Sequence, residues 1–393
     1  MVVPQRALVL DDNEVVVQLI LDVAWRLDIA CNGTTDPELF FEMVAPEVTL
    51  IFIDISMPQL DGIQVLRRLG EMRCKAGIVL ISGMEHRTVE IAQELAVGFG
   101  LLVKDPLPKP FRIAELEKRL KTIVHREATT SASPPDEVAR DDCETHEPGN
   151  EEGFRLSYQP QVHLATGKVT GVEVRVRTMR TGMPAADSFS ESQHSSDAEE
   201  TAWLILDHAM ADAGVFVDSG GVRPRLSIQV STRSLGDLSF PERLLAIASA
   251  RNFALERLTL EIEDGDSPVH SFTQSMDVLV RLRARRINIS ISDGLLGSKM
   301  FERFKRVPAT ELRIGRNLMV ELGRSVSARI ITEKLIESGH GLKLSVLADG
   351  IETAEQLEFV RGWRCDCAQG SIFSEPLAPT AFADWLLRYG VPA

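Results

Sequence analysis

The sequence predicts an α/β protein in two parts: a doubly wound parallel sheet, then a (β/α)8-type barrel. Three observations carry that expectation. Short apolar runs alternate with helix-period segments along the chain. Those runs repeatedly end on a carboxylate, an amide or a cation, as strands do when they deliver chemistry to one sheet edge. A polar stretch over 125–152 has no apolar periodicity and separates the two sets of runs. The expected domains are therefore 1–124 and 153–393, joined by an acidic, self-repelling tether at 125–152.

The first set of elements centres on VTLIFIDISMPQLDG, residues 48–62. Leu50–Ile53 reads as a central strand buried on both faces, and it stops on Asp54. Pro58 and Asp61-Gly62 then force a loop. Ala7–Leu10 is a second strand, ending at Asp11-Asp12, with Asn13 placed to cap the helix carrying Val16, Leu19, Ile20 and Val23. Gly77–Ile81 ends at Ser82-Gly83, and Leu101–Val103 leads to Pro108-Lys109-Pro110. Helical periods fall at Pro37–Val44, Ile63–Met72, Thr88–Val97 and Ile113–Val124. Four strand ends thus meet at one edge. Standing alone, Asp54 would read as a helix N-cap; in this company it reads as an exposed, positioned carboxylate.

One chemistry uses all these parts. Asp11, Asp12 and Asp54 would repel one another unless a cation joined them. Mg²⁺ takes oxygen ligands and keeps positions open for phosphate oxygens. Lys109 supplies a point charge and Ser82 a hydroxyl donor for a phosphoryl group. Asp54 is then the nucleophile that forms an acyl phosphate. Residues 6–124 resemble the receiver domain of two-component response regulators, a flavodoxin-like fold, through Asp11-Asp12, DISMPQLDG, Ser82 and Lys109-Pro110-Phe111. The resemblance implies phosphotransfer from a histidine kinase or phosphotransfer protein, Mg²⁺ on the three aspartates, and switching through Ser82 and Lys109. One position departs from the family: Pro106 stands where it usually has an aromatic residue.

Composition narrows the partners. The chain has 393 residues, 44% hydrophobic and 25% charged, with a net charge of -14, which argues against nucleic acid as a main partner. Cys31, Cys74, Cys143, Cys365 and Cys367 are odd in number and scattered, so neither a disulfide framework nor a zinc site is implied. The opening MVVPQRALVLDDNE has no signal layout and no apolar run reaches transmembrane length, so a cytoplasmic protein without membrane contact is expected. Arg281, Arg283, Arg285 and Arg286 read as a solvated helix end complementing the dipole, and Met300, Phe301 and Phe304 as core.

In the second set, strand-like runs lead to Glu173, Gln229, Glu261, Ser292-Asp293, Arg313, Asp349-Gly350 and Gln369-Gly370. The order resembles the EAL domain, a family of cyclic di-GMP phosphodiesterases that uses two divalent metals. YQPQVHLATGKVTGVEVRVR carries Glu173-Val174-Arg175 and Arg177, LTLEIED carries Glu261, and LADGIETAEQLEF…AQG keeps Glu352 and Gln369. The resemblance implies cyclic di-GMP contacts from Arg177 and Gln369. It also implies a metal-dependent site that four substitutions disturb. Ser292 takes the metal-bridging carboxylate's place, Gln229 an asparagine's, Arg313 the catalytic lysine's, and Asp349 that of the glutamate handling the attacking water. Gly315 replaces a further aspartate, and Arg175 an apolar residue. The expectation is a phosphorylatable response regulator, homodimeric, whose barrel has lost its own metals. Such a barrel would work by binding cyclic di-GMP or a protein target. A phosphorylation-regulated phosphodiesterase with weak residual activity is the alternative.

Overall fold

The structure is a computed structural model and describes residues 6–57, 60–124, 154–178, 196–231, 234–262, 272–292 and 307–389. Pro58, Asp293, the 125–152 tether and the residues 300–304 expected in the core lie outside the described residues. The chain divides into two compact units, Met1–Pro148 and Gly149–Ala393.

In the first unit the sheet order is β2-β1-β3-β4-β5, built from β1 (Arg6–Leu10), β2 (Ala30–Thr34), β3 (Val48–Asp54), β4 (Gly77–Ser82) and β5 (Leu102–Val103). The strands pair in parallel, as an alternating strand–helix chain requires. Helices α1 (Glu14–Arg26), α2 (Pro37–Met43), α3 (Gly62–Glu71), α4 (His86–Gly98) and α5 (Ile113–Val124) connect them. Caps fix the helix starts: Asn13 accepts from the Val15 N–H at 3.0 Å, and Asp61 from the Gln64 N–H at 2.9 Å. Strand β2 is absent from the sequence reading because ACNGT is small, polar and only half-buried at the sheet edge.

The opposite edge is broken. A short β6 (Leu107–Pro108) resumes the pairing to β4 after a gap at Lys104–Pro106. Val103 faces Ile78 and Leu107 faces Ile81, so four steps on the edge oppose three on β4. The extra residue falls within Lys104–Pro106, where Pro106 has no N–H to give the ladder. Gln93 of α4 donates its amide to the Lys104 carbonyl at 3.1 Å and closes the gap.

The second unit is a closed eight-stranded barrel in the order β10-β11-β12-β13-β14-β7-β8-β9. Its strands are β7 (Phe154–His163), β8 (Val169–Thr178), β9 (Arg225–Val230), β10 (Leu258–Ile262), β11 (Asn288–Ser292), β12 (Glu311–Ile314), β13 (Ser345–Asp349) and β14 (Cys367–Gln369). Strand β7 runs against both neighbours, a departure from uniform β/α repetition. Only the turn at Leu164–Lys168 joins β7 to β8, and a link so short permits nothing but a hairpin. Strand β8 also passes Glu173 rather than ending there. The helices flanking the later strands are α6 (Ser196–Asp212), α7 (Phe240–Ala250), α8 (Phe272–Ala284), α9 (Arg316–Glu321), α10 (Val326–Gly341), α11 (Ala354–Gly362) and α12 (Pro379–Arg388). Pleating sorts the side chains: Ile314, Val346 and Ala348 pack outward with Ile336 and Val360. Glu311, Arg313 and Asp349 occupy the alternating positions of the same strands, on the lumen side.

Arg281 corrects the sequence reading of a solvated basic helix end. It is 0% exposed, donates to the Leu238 carbonyl at 2.6 Å and pairs with Glu242.

Gly62 is closely fitted against the end of β3. A Cβ there would lie 2.5 Å from the Asp54 carbonyl oxygen and 2.7 Å from Ile55 Cα. Gly62→Ala is therefore expected to destabilise this unit by about 1–3 kcal/mol, read as a lowered midpoint of its denaturant transition.

Candidate functional site

Two sites are built at strand ends. In the first unit, β1 and β3 deliver Asp11 and Asp54, and the turn after β6 brings Lys109 between them. Its Nζ lies 2.7 Å from Asp11 Oδ2 and 3.1 Å from Asp54 Oδ2. Asp54 is 3% exposed, so the carboxylate expected in the open is sheltered. The Ser56 N–H reaches Asp54 Oδ1 at 3.4 Å, and Asn13 N–H donates to Asp11 Oδ1 at 3.0 Å. Asp12 stays exposed, and one ligand atom each from Asp11, Asp12 and Asp54 falls within a 4.8 Å set. Ser82 accepts the Met84 N–H on its hydroxyl at 3.0 Å, and its carbonyl accepts the Lys109 N–H at 2.7 Å. The peptide bond between Lys109 and Pro110 is cis. All five residues expected at this edge are brought together.

Burial raises the Asp54 pKa, and the Asp11 charge adds to it against the opposing pull of Lys109. Burial disfavours the Lys109 ammonium, but its hydrogen bond to Asp11 and the charges of Asp54 and Asp11 outweigh that and raise its pKa. An oxygen-seeking cation of Mg²⁺ type fits the three aspartates, which offer an acidic, partly open donor set.

In the barrel, Arg313 occupies the middle of the acids. Its guanidinium donates to both Glu173 oxygens at 2.9 Å, to Asp349 Oδ2 at 2.7 Å, and to Glu261 Oε2. Arg175, two residues beyond Glu173 on β8, reaches Glu173 at 3.0 Å and Asp349 at 3.4 Å. Gln369 donates to Glu173 and, at 3.2 Å, to Gln159. Burial pushes Glu261 well above the ordinary carboxylate range; Arg313 opposes the shift, while Glu173 and Glu311 add to it. Burial acts the same way on Asp349, but Arg313 and Arg175 overcome it and hold the group below that range. Burial alone would lower the Arg313 pKa; Asp349, Glu173 and Glu261 drive it well up.

The other expected residues divide. Gln229 lines the adjoining cavity of about 450 Å³, and Ser292 lies opposite Arg313 in the strand register. Glu352 stays at the mouth, paired with Arg316 at 2.5 Å, rather than joining the inner acids. The Arg177 side chain and Asp293 lie outside the described residues. Two lumen residues escape the sequence reading. Gln159 is signalled by polar alternation with Gln161 in β7, and Glu311 by its spacing of two from Arg313. Glu311 is buried, and burial raises its pKa against the pull of Arg225.

The comparisons with known proteins agree with this architecture. The chain belongs to the EAL domain family, whose model matches residues 147–376, and carries a response regulator receiver domain at residues 7–121. A cyclic di-GMP phosphodiesterase of Pseudomonas aeruginosa is 30% identical over 247 residues, 61% of this chain and 41% of the relative. The cyclic di-GMP phosphodiesterase NbdA of the same organism is 28% identical over 239 residues, 60% of this chain and 30% of the relative. The chain thus spans less than half the length of these curated relatives. The MucR phosphodiesterase in its c-di-GMP complex shares the fold, at TM-score 0.51 and 24% identity over 58% of this chain and 94% of that one. An EAL domain protein of Listeria monocytogenes does so at TM-score 0.51 and 21% identity, over 59% of this chain and 92% of that one. Among the described residues no helix is long and apolar enough to cross a membrane.

EAL domains use divalent metals, and the acids held by Arg313 among the described residues do not fit a metal pair. Arg313 already bonds Glu173, Glu261 and Asp349. A dication among them would face a buried guanidinium that cannot give up its proton. The acid trio of the first unit is the cluster close enough to share a cation among the described residues.

Two outcomes follow. Asp54→Asn should raise the melting temperature of the receiver at pH 7, because the native site disfavours the Asp54 charge. The gain should shrink on acidification, once pH falls through the raised pKa and Asp54 takes up its proton. Arg313→Ala should destabilise the barrel by about 3–5 kcal/mol, since it strands buried acids without a counter-ion; chemical denaturation of the full chain reads this.

Proposed function

We propose that this chain is a response regulator in cyclic di-GMP signalling: Asp54 accepts a phosphoryl group, and the barrel responds by binding without hydrolysis. The observation that carries the second half is Arg313, held by Glu173, Glu261 and Asp349 where the family's chemistry needs cations that can take a water. For the first half, the support is the joining of Asp11, Asp54 and Lys109 at one sheet edge.

An Asp54 oxygen attacks phosphorus, and the bond to the donor, a histidine kinase or phosphotransfer protein, breaks. Asp11, Asp12 and Asp54 would hold Mg²⁺, which neutralises charge on the phosphoryl oxygens. Lys109 gives up its contact with the Asp54 carboxylate and turns its ammonium toward the new phosphoryl group. Ser82 turns its hydroxyl toward a phosphoryl oxygen. Phosphorylation then alters receiver contacts or dimerisation, and the barrel passes the change to a protein target or to cyclic di-GMP. The relatives named phosphodiesterases lend the barrel its ligand class. Weak residual hydrolysis is disfavoured by the same arginine.

Acetyl phosphate with Mg²⁺ should label the full chain, and Asp54→Asn should abolish the label. Incubation with cyclic di-GMP and Mn²⁺ should yield no linear dinucleotide, whether or not the receiver is phosphorylated. Turnover at a rate typical of enzymes, of order 1 s⁻¹ or above, would overturn the binding role.

A further inference from the structure

The end of the barrel away from the cavity has a charge of its own. Strands β8 to β14 run parallel and all begin there. Three of the turns that lead into them share one backbone pattern. After α8, the Arg286 N–H bonds the Arg283 carbonyl and the Ile287 N–H that of Leu282. Lys343 and Leu344 repeat the pair after α10, and Arg364 and Cys365 after α11. In each turn the cation takes a left-handed φ, of +63°, +60° and +61°. A side chain there costs energy that glycine would not. The turn after α7 shows the neutral solution, with Asn252 at +50°. Helix-dipole capping does not explain the whole set, because Lys168 and Arg223 stand beside strand starts rather than helix ends. Lys168, Arg223, Arg286, Lys343 and Arg364 are all exposed, and none is held in an ion pair among the described residues.

The acids of these loops are fewer, and most are occupied. Asp218 accepts the Gly220 and Val222 N–H groups at 2.9 and 2.7 Å. Asp366 accepts the Val346 N–H at 2.8 Å and faces His340 at 3.0 Å. Glu256 is exposed. At the end of α6, Asp207 is taken by Arg251 and Asp212 by the Tyr158 hydroxyl. Burial lowers the Arg257 pKa, and the neighbouring charge of Arg223 adds to that against Glu256. Positive charge is thus in excess here, in a chain of net charge -14. Val215 and Val222, 66% and 59% exposed, belong to the same end.

We infer that this face of the barrel docks on an anionic lipid surface. Equivalent turns set Arg286, Lys343 and Arg364 at one level, which suits a plane of charge rather than a point anion. Each cation brought near such a plane favours binding by about fivefold. Val215 and Val222 can enter between the headgroups. The acids of the cavity lie a strand's length away, about 17 Å for five residues. That is roughly twice the screening length at physiological salt, so they do not cancel the field at this end. Docking here leaves the cavity open at the opposite end. A sequence reading that looks for apolar runs has no means of finding this contact, because the cations are scattered along the chain and meet only in the fold.

Flotation of the full chain with vesicles tests this. Vesicles of phosphatidylglycerol and phosphatidylcholine in equal parts should carry the chain at low salt, and vesicles of phosphatidylcholine alone should not. Added salt should release it. Arg286→Gly, Lys343→Gly and Arg364→Gly suit the left-handed turns, so folding is not at stake, and an unchanged or raised denaturant midpoint checks this. Each change should weaken binding to the mixed vesicles by about fivefold, and the triple variant by about a hundredfold. Asn252→Lys, in the fourth turn of the same geometry, should strengthen binding by about fivefold. Equal binding to both kinds of vesicle, binding to neither, or a triple variant as avid as the parent would overturn the inference. So would duplex DNA that displaces the chain from the mixed vesicles at equal phosphate concentration, since that result assigns the face to a polynucleotide.

Discussion

One buried guanidinium sets the character of the barrel. Arg313 is 7% exposed and carries the only direct link shared by Glu173, Glu261 and Asp349 among the described residues. Without it, three carboxylates from three strands would face each other in a low-dielectric lumen. Its planar fork matters as much as its charge. A lysine could reach one or two of these acids as a point charge, whereas the guanidinium bonds all three at once and keeps its proton. Gln369 and Gln159 extend the network on the far side of Glu173. The inner acids of the lumen are thus tied into one network around a single guanidinium.

The first unit solves the same problem in the opposite spirit. Its acids are balanced by Lys109, a flexible cation on a turn with a quarter of its side chain exposed. Asp12 is left in solvent. A mobile point charge can leave its partners when a doubly negative group arrives; a forked, buried one cannot. One chain therefore holds one acid cluster around a partly exposed lysine and another around a buried arginine. The difference follows from Lys against Arg and from the depth of burial.

Much of this was legible in the sequence. Apolar runs ending on Asp11, Asp54, Glu261 and Asp349 gave the strands and the edge they serve, because a strand buried on both faces leaves a signal that periodicity detects. Strand β2 and the antiparallel β7 were not legible in that way. An exposed edge strand has no apolar signature, and strand direction is decided by the length of the connection. The identity of Arg313 was readable as an unconservative residue at a catalytic position. That it fills the acid site is a three-dimensional fact, since its partners come from β8, β10 and β13. The pairing of Asp54 with Lys109 is hidden for a related reason: the two residues are remote in the chain.

The interrupted edge of the first sheet has a consequence of its own. Strands β5 and β6 are two residues each, and Pro106 and Pro108 contribute no N–H along that rim. A foreign strand seeking to extend the sheet would find too few donors in register to hold it. This side can meet a partner through side chains while giving an added strand little to pair with.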